Sequence, residues 1–452
     1  MRLKTIRDFP LRGKRVFLRL DFNTPLSAPD ANGVRHVEDD TRIREALPTV
    51  KYAMEQGAKV IIGSHVGRPN GKYNEAFSIL PAAMRLAELL DTEVTVADDC
   101  VGEGIEFKAS QVPNGHVLIL ENLRFHKEEE ANDPQFAKYL SRICDVYITD
   151  AFGTAHRKHA STYGLPAIIP DRGCGFLIEK EIKYFDSMLH TPGNPFYLIL
   201  GGAKVSDKIQ TIQSLMKRVQ GIAVGGAMAY AFMKAKGEKI PPEWKQPAPE
   251  DVEAAKEILK EADRRKLPFL LPVDTTEGFD IGPKTIALYK DFLSKAKMVF
   301  WNGPLGWFEK PAYATGTNEI AKFLGDLKGC TKIVGGGDTV SAINQCMIVN
   351  EAHVEGDELP AQVSVATKFD HLSTGGGAAL EYLENEGLPG IEILKTGYKA
   401  QSPTLEWNEK NSDPNPPQDK KATKGKDQKP RGDVLFEKTL AGKGPKKPES
   451  QE

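Results

Sequence analysis

Short apolar runs recur along this chain, and helical patterns separate them. Val16–Leu20 and Lys59–Ile62 are two such runs, and Thr41–Gln56 between them shows a helical pattern. Strands that alternate with helices form parallel sheets with helices on both faces. Ligands bind such sheets outside the carboxyl ends of the strands. The chain is therefore predicted to be a doubly wound α/β protein with its functional residues at those strand ends.

The stretch Phe196–Val219 combines a predicted strand, a Gly-Gly turn and a helix whose apolar residues recur from Ile209 onward. Lys204 and Lys208 lie one helical step apart at the turn. Glycines let a ligand approach the backbone, the amides at a helix start attract anions, and two ammonium groups add positive charge. This combination predicts a phosphate site, although a glycine turn between strand and helix is equally consistent with tight packing alone.

In the N-terminal third, each of four apolar runs is followed by polar or basic residues. The four sets are Asp21, Phe22 and Asn23; Ser64, His65 and Arg68; Glu121, Asn122 and Arg124; and Asp150, Thr154, His156, Arg157 and His159. These side chains are expected to converge on one crevice, with little besides Asp21 to neutralise the cations. The crevice is predicted to bind a small, strongly anionic substrate through arginine forks. The alternative is that each arginine is a solvated surface residue in a weak ion pair.

In the second half, the predicted strands end in glycines instead. The runs Gly221–Val224, Lys332–Val334 and His371–Thr374 lead to GG, GGGDT and GGG, and Lys297–Phe300 leads to WNGPLGWFE. Glycine-ended strands that lead into helix starts favour nucleotide phosphates. Asp338 at one of these starts is a candidate magnesium ligand. A plain helix N-cap is an equally good interpretation of Asp338.

The segment Glu179–His190 is predicted to be a helix that joins the two halves. Ile182, Phe185 and Leu189 lie on one face of it, and Thr191-Pro192-Gly193 ends it. The alternative is one more helix that covers a sheet. A linker is favoured because the strand ends change from basic to glycine-rich beyond it.

Composition limits the classes of protein to which the chain can belong. Its 452 residues suffice for two or three domains with substantial cores. A net charge of -2 argues against general binding to nucleic acid or to a membrane surface. No apolar run approaches the roughly 20 residues that span a bilayer, and Met1–Phe9 lacks the apolar region of a signal peptide. The five cysteines lack zinc-ligand spacing, which favours reduced, buried thiols in a cytoplasmic protein.

After about Lys395 the composition shifts to Lys, Pro, Asp, Gln and Gly, which is typical of a disordered tail. Acidic residues dilute the basic ones, so a tail that binds nucleic acid is disfavoured. The short apolar run of Val434, Leu435 and Phe436 is a candidate for docking on the folded protein.

Nine motifs resemble those of the phosphoglycerate kinase family, in the family's order. They are RVFLRLDFNTPL, DDTRIREALPT, GSHVGRPNG, LENLRFHKEEE, ITDAFGTAHRKHAS, LGGAKVSDKI, WNGPLGWFE, VGGGDTV and LSTGGGA. The resemblance extends to about Leu394. It implies two Rossmann-like α/β domains joined by a hinge helix, at residues 1–178 and 179–379, with 380–395 returning to the first domain and 396–452 as a tail. Walker A, GxGxxG, HRD and DFG patterns are absent, which disfavours P-loop ATPases, Rossmann dehydrogenases and protein kinases.

The resemblance also implies a reaction. It is the reversible, Mg²⁺-dependent transfer of a phosphoryl group from 1,3-bisphosphoglycerate to ADP, giving 3-phosphoglycerate and ATP in glycolysis, by a monomer. In the reverse direction the acceptor is a carboxylate with a pKa of about 3.5, which is already ionised. Neither direction needs a general base, in agreement with a site of cations and amides. Closure of a hinge near Glu179–Thr191 and at the returning C-terminal segment is expected to bring donor and acceptor together.

Residue by residue, the resemblance assigns three groups of positions. Phosphoglycerate is expected at Asp21, Asn23, Arg42, His65, Arg68, Arg124, His156 and Arg157. The nucleotide is expected at Gly201, Gly202, Lys204, Lys208, Gly225, Gly226, Asn302, Pro304, Glu309, Gly335, Gly336, Gly337, Asp338 and Thr339, with Asp338 as the metal ligand. Arg42, Lys204, Gly337 and Gly377 are expected around the transferring phosphoryl group.

The chain departs from the family pattern without losing any of these positions. Ala227 stands where the family often has a glycine, and this is expected to tighten the adenosine pocket slightly. Ser341–Asp370 is longer than is usual and is expected to form an added hairpin or loop. Because the motif residues are retained, activity is expected. The alternative is a non-catalytic scaffold or binding protein on the same fold that acts through its tail.

Overall fold

The predicted alternation of strands and helices is present in both halves of the chain. The computed structural model describes residues 2–349 and 362–398, together with the backbone of Val434–Leu435. The chain divides into two units. The first unit comprises Met1–Asp150, Lys158–Phe176 and Ile393–Glu452, and the second comprises Ala151–Arg157 and Leu177–Glu392.

The first unit is built on a parallel sheet. In chain order its elements are β1 (Arg15–Arg19), α1 (Thr41–Glu55), β2 (Lys59–Gly63), α2 (Leu80–Leu90), β3 (Val94–Val96), α3 (Glu103–Gln111), β4 (Val117–Ile119), α4 (Lys127–Glu130), α5 (Pro134–Ser141), β5 (Val146–Thr149), α6 (Leu165–Ile168) and β6 (Arg172–Cys174). The strands lie in the order β3-β4-β2-β1-β5-β6, and all these pairs are parallel. The central strands β1 and β2 contain buried apolar runs, Val16–Leu18 and Val60–Ile62, because helices cover both faces of such a sheet.

The second unit is built on another parallel sheet. After α7 (Phe176–His190) come β7 (Phe196–Leu200), α8 (Ile209–Leu215), β8 (Gly221–Val224), α9 (Ala229–Ala235), α10 (Pro249–Arg265), β9 (Phe269–Leu270), β10 (Thr275–Thr276), β11 (Asp280–Ile281), α11 (Pro283–Leu293), β12 (Met298–Asn302), α12 (Thr315–Asp326), β13 (Thr331–Gly335), α13 (Gly337–Gln345), β14 (Met347–Val349), β15 (Gln362–Ser364), β16 (His371–Leu372), α14 (Gly377–Asn385) and α15 (Pro389–Glu392). The sheet order is β16-β13-β12-β7-β8-β9, with parallel pairs throughout. The predicted fold class of two parallel α/β sheets is confirmed.

Predicted and observed element bounds agree closely in the sheets. β8 has the predicted bounds, α1 ends one residue earlier than predicted, and α7 begins at Phe176 rather than Glu179. The three-residue strands β3 and β6 are absent from the predicted set. β3 (VTV) and β6 (RGC) contain polar residues or glycine, so they lack the continuous apolar run by which the three-residue β4 (VLI) is recognised.

The linker helix α7 lies almost wholly within the second unit, because the division falls after Phe176. Phe152, from the segment 151–157, stacks on Phe185 of α7 with ring centroids 5.5 Å apart. The fully buried Glu181 carboxylate of α7 lies 2.6 Å from His371 Nε2 of β16. The division assigns residues 151–157 and 177–178 to the second unit, whereas the expected domain bounds assign them to the first; residues 158–176 lie in the first unit in both.

Two segments outside the family pattern have described elements. β14 and β15 pair antiparallel within the segment 341–370, which supports the hairpin alternative; residues 350–361 between them lie outside the described residues. Strand β17 (Val434–Leu435) pairs antiparallel with β3 and adds a seventh strand to the first sheet. The rest of the predicted disordered tail, beyond residue 398, lies outside the described residues.

Candidate active site

Polar side chains follow three adjacent strands of the first unit. Asp21 and Asn23 come after β1, His65 comes after β2, and Arg124 comes after β4. Because these strands are neighbours in the order β4-β2-β1, their carboxyl ends bring the four side chains to one edge of the sheet. Asn23 Oδ1 accepts a hydrogen bond from the Gly67 N–H at 2.8 Å, which ties the loop after β1 to the loop after β2.

An ion pair between Asp21 and Arg42 lies at this edge. Arg42, the second residue of α1, donates from Nη1 to Asp21 Oδ2 at 2.6 Å. Burial by itself raises the pKa of Asp21, but the charge of Arg42 and the Asn23 N–H, which donates to the carboxylate, outweigh it and lower the pKa to about 2. The carboxylate is therefore ionised at neutral pH, and it orients the Arg42 guanidinium.

His65 is a buried, neutral imidazole beside this pair. Its side chain is 2% exposed, and its Nδ1 lies 3.4 Å from Arg19 Nη2. Burial lowers the pKa of His65 well below its ordinary value, and the charges of Arg19 and Arg124 act in the same direction, against Asp21. At neutral pH the ring can therefore offer a hydrogen bond to a ligand without a change of charge.

The two arginines of the loops after β2 and β4 differ in how the protein holds them. Arg124 is 3% exposed, donates from Nη1 to the Gly67 carbonyl at 2.9 Å, and has its Nε 3.3 Å from Glu130 Oε1. Arg68 is exposed. A guanidinium that the protein already orients loses less conformational freedom when it binds an anion. Arg124 is therefore preorganised, and Arg68 is not.

A buried polar network behind the site is missing from the sequence prediction. Arg19 Nε donates to Ser161 Oγ at 2.8 Å, and Ser161 donates from Oγ at 2.5 Å and from its backbone N–H at 2.9 Å to the Glu129 carboxylate. Glu129 is fully buried, and burial raises its pKa despite the opposing charge of Arg19. The expectation that little besides Asp21 neutralises the cations is wrong, because Glu129 and Glu130 also face them. No spacing in KEEE distinguishes the buried Glu129 from the half-buried Glu128 and the exposed Glu130.

His156 and Arg157 belong to the second unit and not to the cluster just described. Arg157 Nε lies 3.1 Å from His156 Nε2, and both side chains are half-buried. The charge of Arg157 also acts on Glu381 of α14. Asp21, Asn23, His65, Arg124 and Arg42 therefore lie together in the first unit. His156 and Arg157 lie in the second unit.

In the second unit, Lys208 bridges the ends of two neighbouring strands. Its Nζ donates to the Gly201 carbonyl at 2.8 Å, after β7, and to the Asn302 carbonyl at 3.1 Å, in β12. Burial lowers the pKa of Lys208 to about 8, against the charges of Asp338 and Asp207. Lys204, on the same loop, is exposed. The two lysines thus differ, because Lys208 is hydrogen-bonded to the ends of two strands and Lys204 is exposed to solvent.

The glycine turn after β7 is packed against the loop after β12. A Cβ on Gly201 would lie 2.1 Å from the Pro304 carbonyl oxygen, and the Gly202 N–H donates to that carbonyl at 3.0 Å. Only glycine fits where one backbone approaches another this closely. The tight-packing interpretation of this turn is therefore correct for Gly201, and the adjoining residues remain available for a ligand.

Two helices of the second unit begin at glycines, each at the end of one of two neighbouring strands. α13 follows β13 and α14 follows β16, and these strands are parallel neighbours. The N-cap residues, Gly336 and Gly376, have φ of 87° and 53°, and neither helix has a side-chain cap hydrogen bond. The first helical residues, Gly337 and Gly377, are exposed, and a Cβ on either would meet nothing within 4 Å. Uncapped helix starts of this kind present backbone N–H groups to an anion.

Asp338 and Thr339 follow Gly337 in the first turn of α13. The N-cap interpretation of Asp338 is wrong, because Gly336 is the N-cap and the Asp338 side chain is exposed in the first turn. Thr339 is buried, and its Oγ1 accepts a hydrogen bond from the Gly303 N–H at 2.7 Å. Thr339 therefore joins α13 to the loop after β12, whereas the exposed Asp338 carboxylate makes no such link and its charge acts on Lys208.

A buried amide donor lies beside these glycines. Asn302 Nδ2 has no hydrogen-bond partner among the residues that the structure describes. It lies so close to the backbone that a Cβ on Gly336 would be 3.1 Å from it. A buried donor without an acceptor is costly, so a polar ligand oxygen is the natural partner. Glu309 lies farther along the same loop and is exposed.

Comparisons with known proteins identify the family of this chain. The family model for phosphoglycerate kinase matches residues 6–277 and 274–386. The phosphoglycerate kinase of Anaeromyxobacter sp. (strain Fw109-5) is 45% identical over 421 residues, covering 87% of this chain and 100% of that protein. This chain belongs to the phosphoglycerate kinase family. Family membership makes it a phosphotransferase, and the resemblance drawn from the nine motifs is confirmed.

Other members of the family give the same result. The phosphoglycerate kinase of Dictyoglomus turgidum (strain DSM 6724 / Z-1310) is 46% identical over 414 residues, covering 86% of this chain and 98% of that protein. The structure of phosphoglycerate kinase from Coxiella burnetii matches with a TM-score of 0.74 at 32% identity, over 87% of this chain and 99% of that one. These relatives are matched over almost their whole length, but the matches cover only part of this chain. Part of this chain therefore has no counterpart in them.

Proposed function

We propose that the chain catalyses the reversible transfer of a phosphoryl group from 1,3-bisphosphoglycerate to ADP, giving 3-phosphoglycerate and ATP. The observation that carries this proposal is the pair of adjacent, glycine-started helices, α13 and α14, at the carboxyl ends of β13 and β16. Two sets of exposed N–H groups at one edge of a sheet suit a group with several anionic oxygens. The family membership reported above supplies the reaction class.

In this proposal the first unit binds the phosphoglycerate. Arg124 and Arg68 can both pair with phosphate oxygens. Arg124 is already oriented by the protein, whereas the exposed Arg68 would be ordered when the ligand binds. Asp21 is ionised and accepts hydrogen bonds, which suits a substrate hydroxyl. Neutral His65 and the amide of Asn23 add polar contacts. Arg157 and His156 are proposed as further substrate contacts from the second unit.

In this proposal the second unit binds the nucleotide. Lys204 and Lys208 provide positive charge at the turn after β7, Asn302 provides a buried donor, and the helix start at Gly337 provides N–H groups. Mg²⁺ binds proteins through one or two carboxylates and takes its other ligands from water and substrate phosphates. The exposed Asp338 carboxylate at the helix start fits that requirement. Bound there, the ion would neutralise charge on the nucleotide phosphates.

The chemistry needs no group that removes a proton. The acceptor is a phosphate oxygen in one direction and a carboxylate in the other, and both are ionised at neutral pH. We therefore assign catalysis to alignment of donor and acceptor and to stabilisation of charge on the equatorial oxygens of the transferring group. Arg42, Lys204 and the N–H groups at Gly337 and Gly377 are the proposed stabilising groups.

We also propose that the reaction requires closure of the two units, by hinge bending near Glu179–Thr191 and at the returning C-terminal segment. The proposed substrate and nucleotide residues belong largely to different units, and transfer requires their ligands to meet. Small-angle scattering is expected to show a smaller radius of gyration with 3-phosphoglycerate and Mg²⁺-nucleotide together than with either alone. An unchanged radius in the ternary complex would contradict closure.

The experiment that tests the function is a coupled assay with 3-phosphoglycerate, ATP and Mg²⁺, in which glyceraldehyde-3-phosphate dehydrogenase reports turnover by oxidising NADH. It is run on the full chain and on a chain that ends after Tyr398. The cut is placed there because the Thr396 N–H donates to the Arg2 carbonyl at 3.0 Å, so residues up to 398 belong to the folded first unit. Turnover by both proteins is expected. A folded full chain without turnover would instead favour the scaffold alternative.

The pKa of Lys208 predicts how nucleotide binding depends on pH. Lys208 is cationic below about pH 8 and neutral above it, so attraction for the nucleotide phosphates should weaken as pH rises from 7 to 9.5. Isothermal titration calorimetry with Mg²⁺-ADP at constant ionic strength is expected to show a several-fold loss of affinity across this range. Lys208→Met should bind more weakly and lose this pH dependence, whereas Lys204→Gln should keep it. The same profile in wild type and Lys208→Met would contradict the assignment.

We propose small molecules as the partners of the chain, and the cytoplasm as its location. All five cysteines are free and buried, as is usual for proteins of reducing compartments. Among the described residues, no helix combines the length and the apolar character needed to cross a membrane.

A further inference from the structure

β3 lies at the outer position of the six parallel strands of the first unit. It pairs with β4 on one side, and the next member of the sheet on the other side is β17. Without β17, β3 would therefore be an edge strand. Edge strands present N–H and C=O groups that pair readily with any extended segment, and proteins usually cover or disrupt them. A polar backbone edge of this kind is a binding site for another strand.

The hydrogen bonding of β3 identifies which of its groups face outward. The N–H of Ala97, just beyond β3, donates to the Ile119 carbonyl of β4 at 2.8 Å. Because successive residues of a strand point their N–H and C=O groups to opposite sides, those of Val96 face away from β4. The register places Val434 opposite Val96 and Leu435 opposite Thr95. Val434 is therefore paired with the outward-facing residue of β3.

The sequence of the C-terminal segment singles out the same residues. Between positions 399 and 452 the large apolar residues are Leu405, Trp407, Val434, Leu435, Phe436 and Leu440. Three of them, Val434–Phe436, are consecutive, and they include two residue types that are enriched in strands. The match to the family model ends at residue 386. The run is therefore an addition to the family's fold that returns to the family's own sheet.

We propose that the outer edge of β3 is a strand-docking site, and that Val434–Leu435 of the same chain is its occupant. Docking closes the edge of the first unit's sheet. Thirty-five residues separate Tyr398 from Val434, and an extended chain spans about 3.3 Å per residue, so length does not prevent the return. So short a strand binds weakly as a free peptide, and attachment to the same chain raises its effective concentration to about the millimolar range.

The test is hydrogen exchange of single valine amides, measured by NMR on deuterated protein labelled with [¹⁵N]valine. Four proteins are compared: the full chain, a chain ending after Tyr398, Val434→Pro and Leu440→Pro. Proline at 434 removes the N–H that faces Val96, and Leu440→Pro is a matched change outside the strand. The Val96 amide is expected to exchange about fivefold faster, or more, in the truncated chain and in Val434→Pro only. Val60, which donates to the His116 carbonyl in the sheet interior, is the internal control and should be unchanged.

Two outcomes would overturn the proposal. Equal exchange of Val96 in the full and truncated chains, with Val60 protected in both, would show that the edge is not covered by the tail. Protection of Val96 that grows with protein concentration, together with a dimer in light scattering, would show that the strand comes from a second copy. Protection that is independent of concentration and lost in Val434→Pro supports docking within one chain.

Discussion

Replacing Lys204 with alanine is expected to lower kcat by about a thousandfold and to leave the fold intact. Lys204 is exposed on the loop between β7 and α8, so its removal creates no cavity and leaves no buried group unpaired. Groups that stabilise charge on a transferring phosphoryl group contribute about 10³ to 10⁵ in rate, because they act mainly in the transition state. The loss should therefore appear in kcat more than in KM.

The control for this variant is Lys217→Ala. Lys217 is also exposed and lies just beyond the carboxyl end of α8, at the far end of the helix from the glycine turn. Its removal is expected to change kcat by less than about twofold, since isolated surface charges have small effects. Both variants are measured in the coupled assay, and circular dichroism confirms that they fold. If Lys204→Ala kept kcat within threefold of wild type, the proposed role of this lysine would be wrong.

Two glycine-to-alanine changes in the second unit are expected to have different effects on stability. Gly337→Ala adds a methyl group into open space at the start of α13. Alanine in a helical conformation that it can adopt stabilises a protein by about 0.4–1 kcal/mol, so the melting temperature should not fall. If the transferring phosphoryl group binds the backbone N–H groups at this helix start, the added methyl group blocks its approach. The value of kcat is then expected to fall about a hundredfold, which is the usual effect of losing one hydrogen-bond donor to a transition state.

Gly201→Ala is the structural counterpart. Its Cβ would lie 2.1 Å from the Pro304 oxygen and 2.4 Å from the Gly303 oxygen, and both belong to backbone that cannot move aside alone. Overpacking of this kind costs about 1–3 kcal/mol or more. It also separates the two carbonyls that Lys208 bridges. Calorimetry is expected to show a lower melting temperature and weaker binding of Mg²⁺-ADP.

The pair distinguishes a packing role from a role in binding the transferring group. Gly337→Ala should lose turnover without losing stability, and Gly201→Ala should lose both. A Gly337→Ala protein with wild-type kcat would show that the phosphoryl group does not approach the start of α13. The observation that carries the proposed function would then fail, while family membership would stand.

The strands of the two sheets were accessible to prediction for a simple reason. A parallel strand covered on both faces is a continuous apolar run, and a glycine or charged residue marks its end. β7 and β8 therefore have recognisable bounds in the sequence, whereas the three-residue β3 does not. The strand-end rule also locates the candidate site, because it depends only on parallel pairing and not on any one side chain.

The partners of individual side chains could not be predicted in the same way. Asp338 is of a residue type that is common at N-caps, yet the chain enters α13 through Gly336, which has a positive φ, and Asp338 is the second residue of the helix. Glu129 is one of three consecutive glutamates, and only folding places it against Ser161 and so beside Arg19. In both cases local preference is weak compared with the position that the surrounding backbone imposes.

The sequence by itself determined that this chain is an α/β protein with basic, polar and glycine residues at the ends of its strands, since periodicity and strand-end composition are local properties. Only the tertiary structure decided which charges are buried, which pairs form and where the added tail returns. Those outcomes depend on residues far apart in the chain: Arg19 is 142 positions from Ser161, and β17 pairs with a strand near residue 95. Burial and charge pairing are set by such distant groups, and no pattern along the chain encodes which of them will meet.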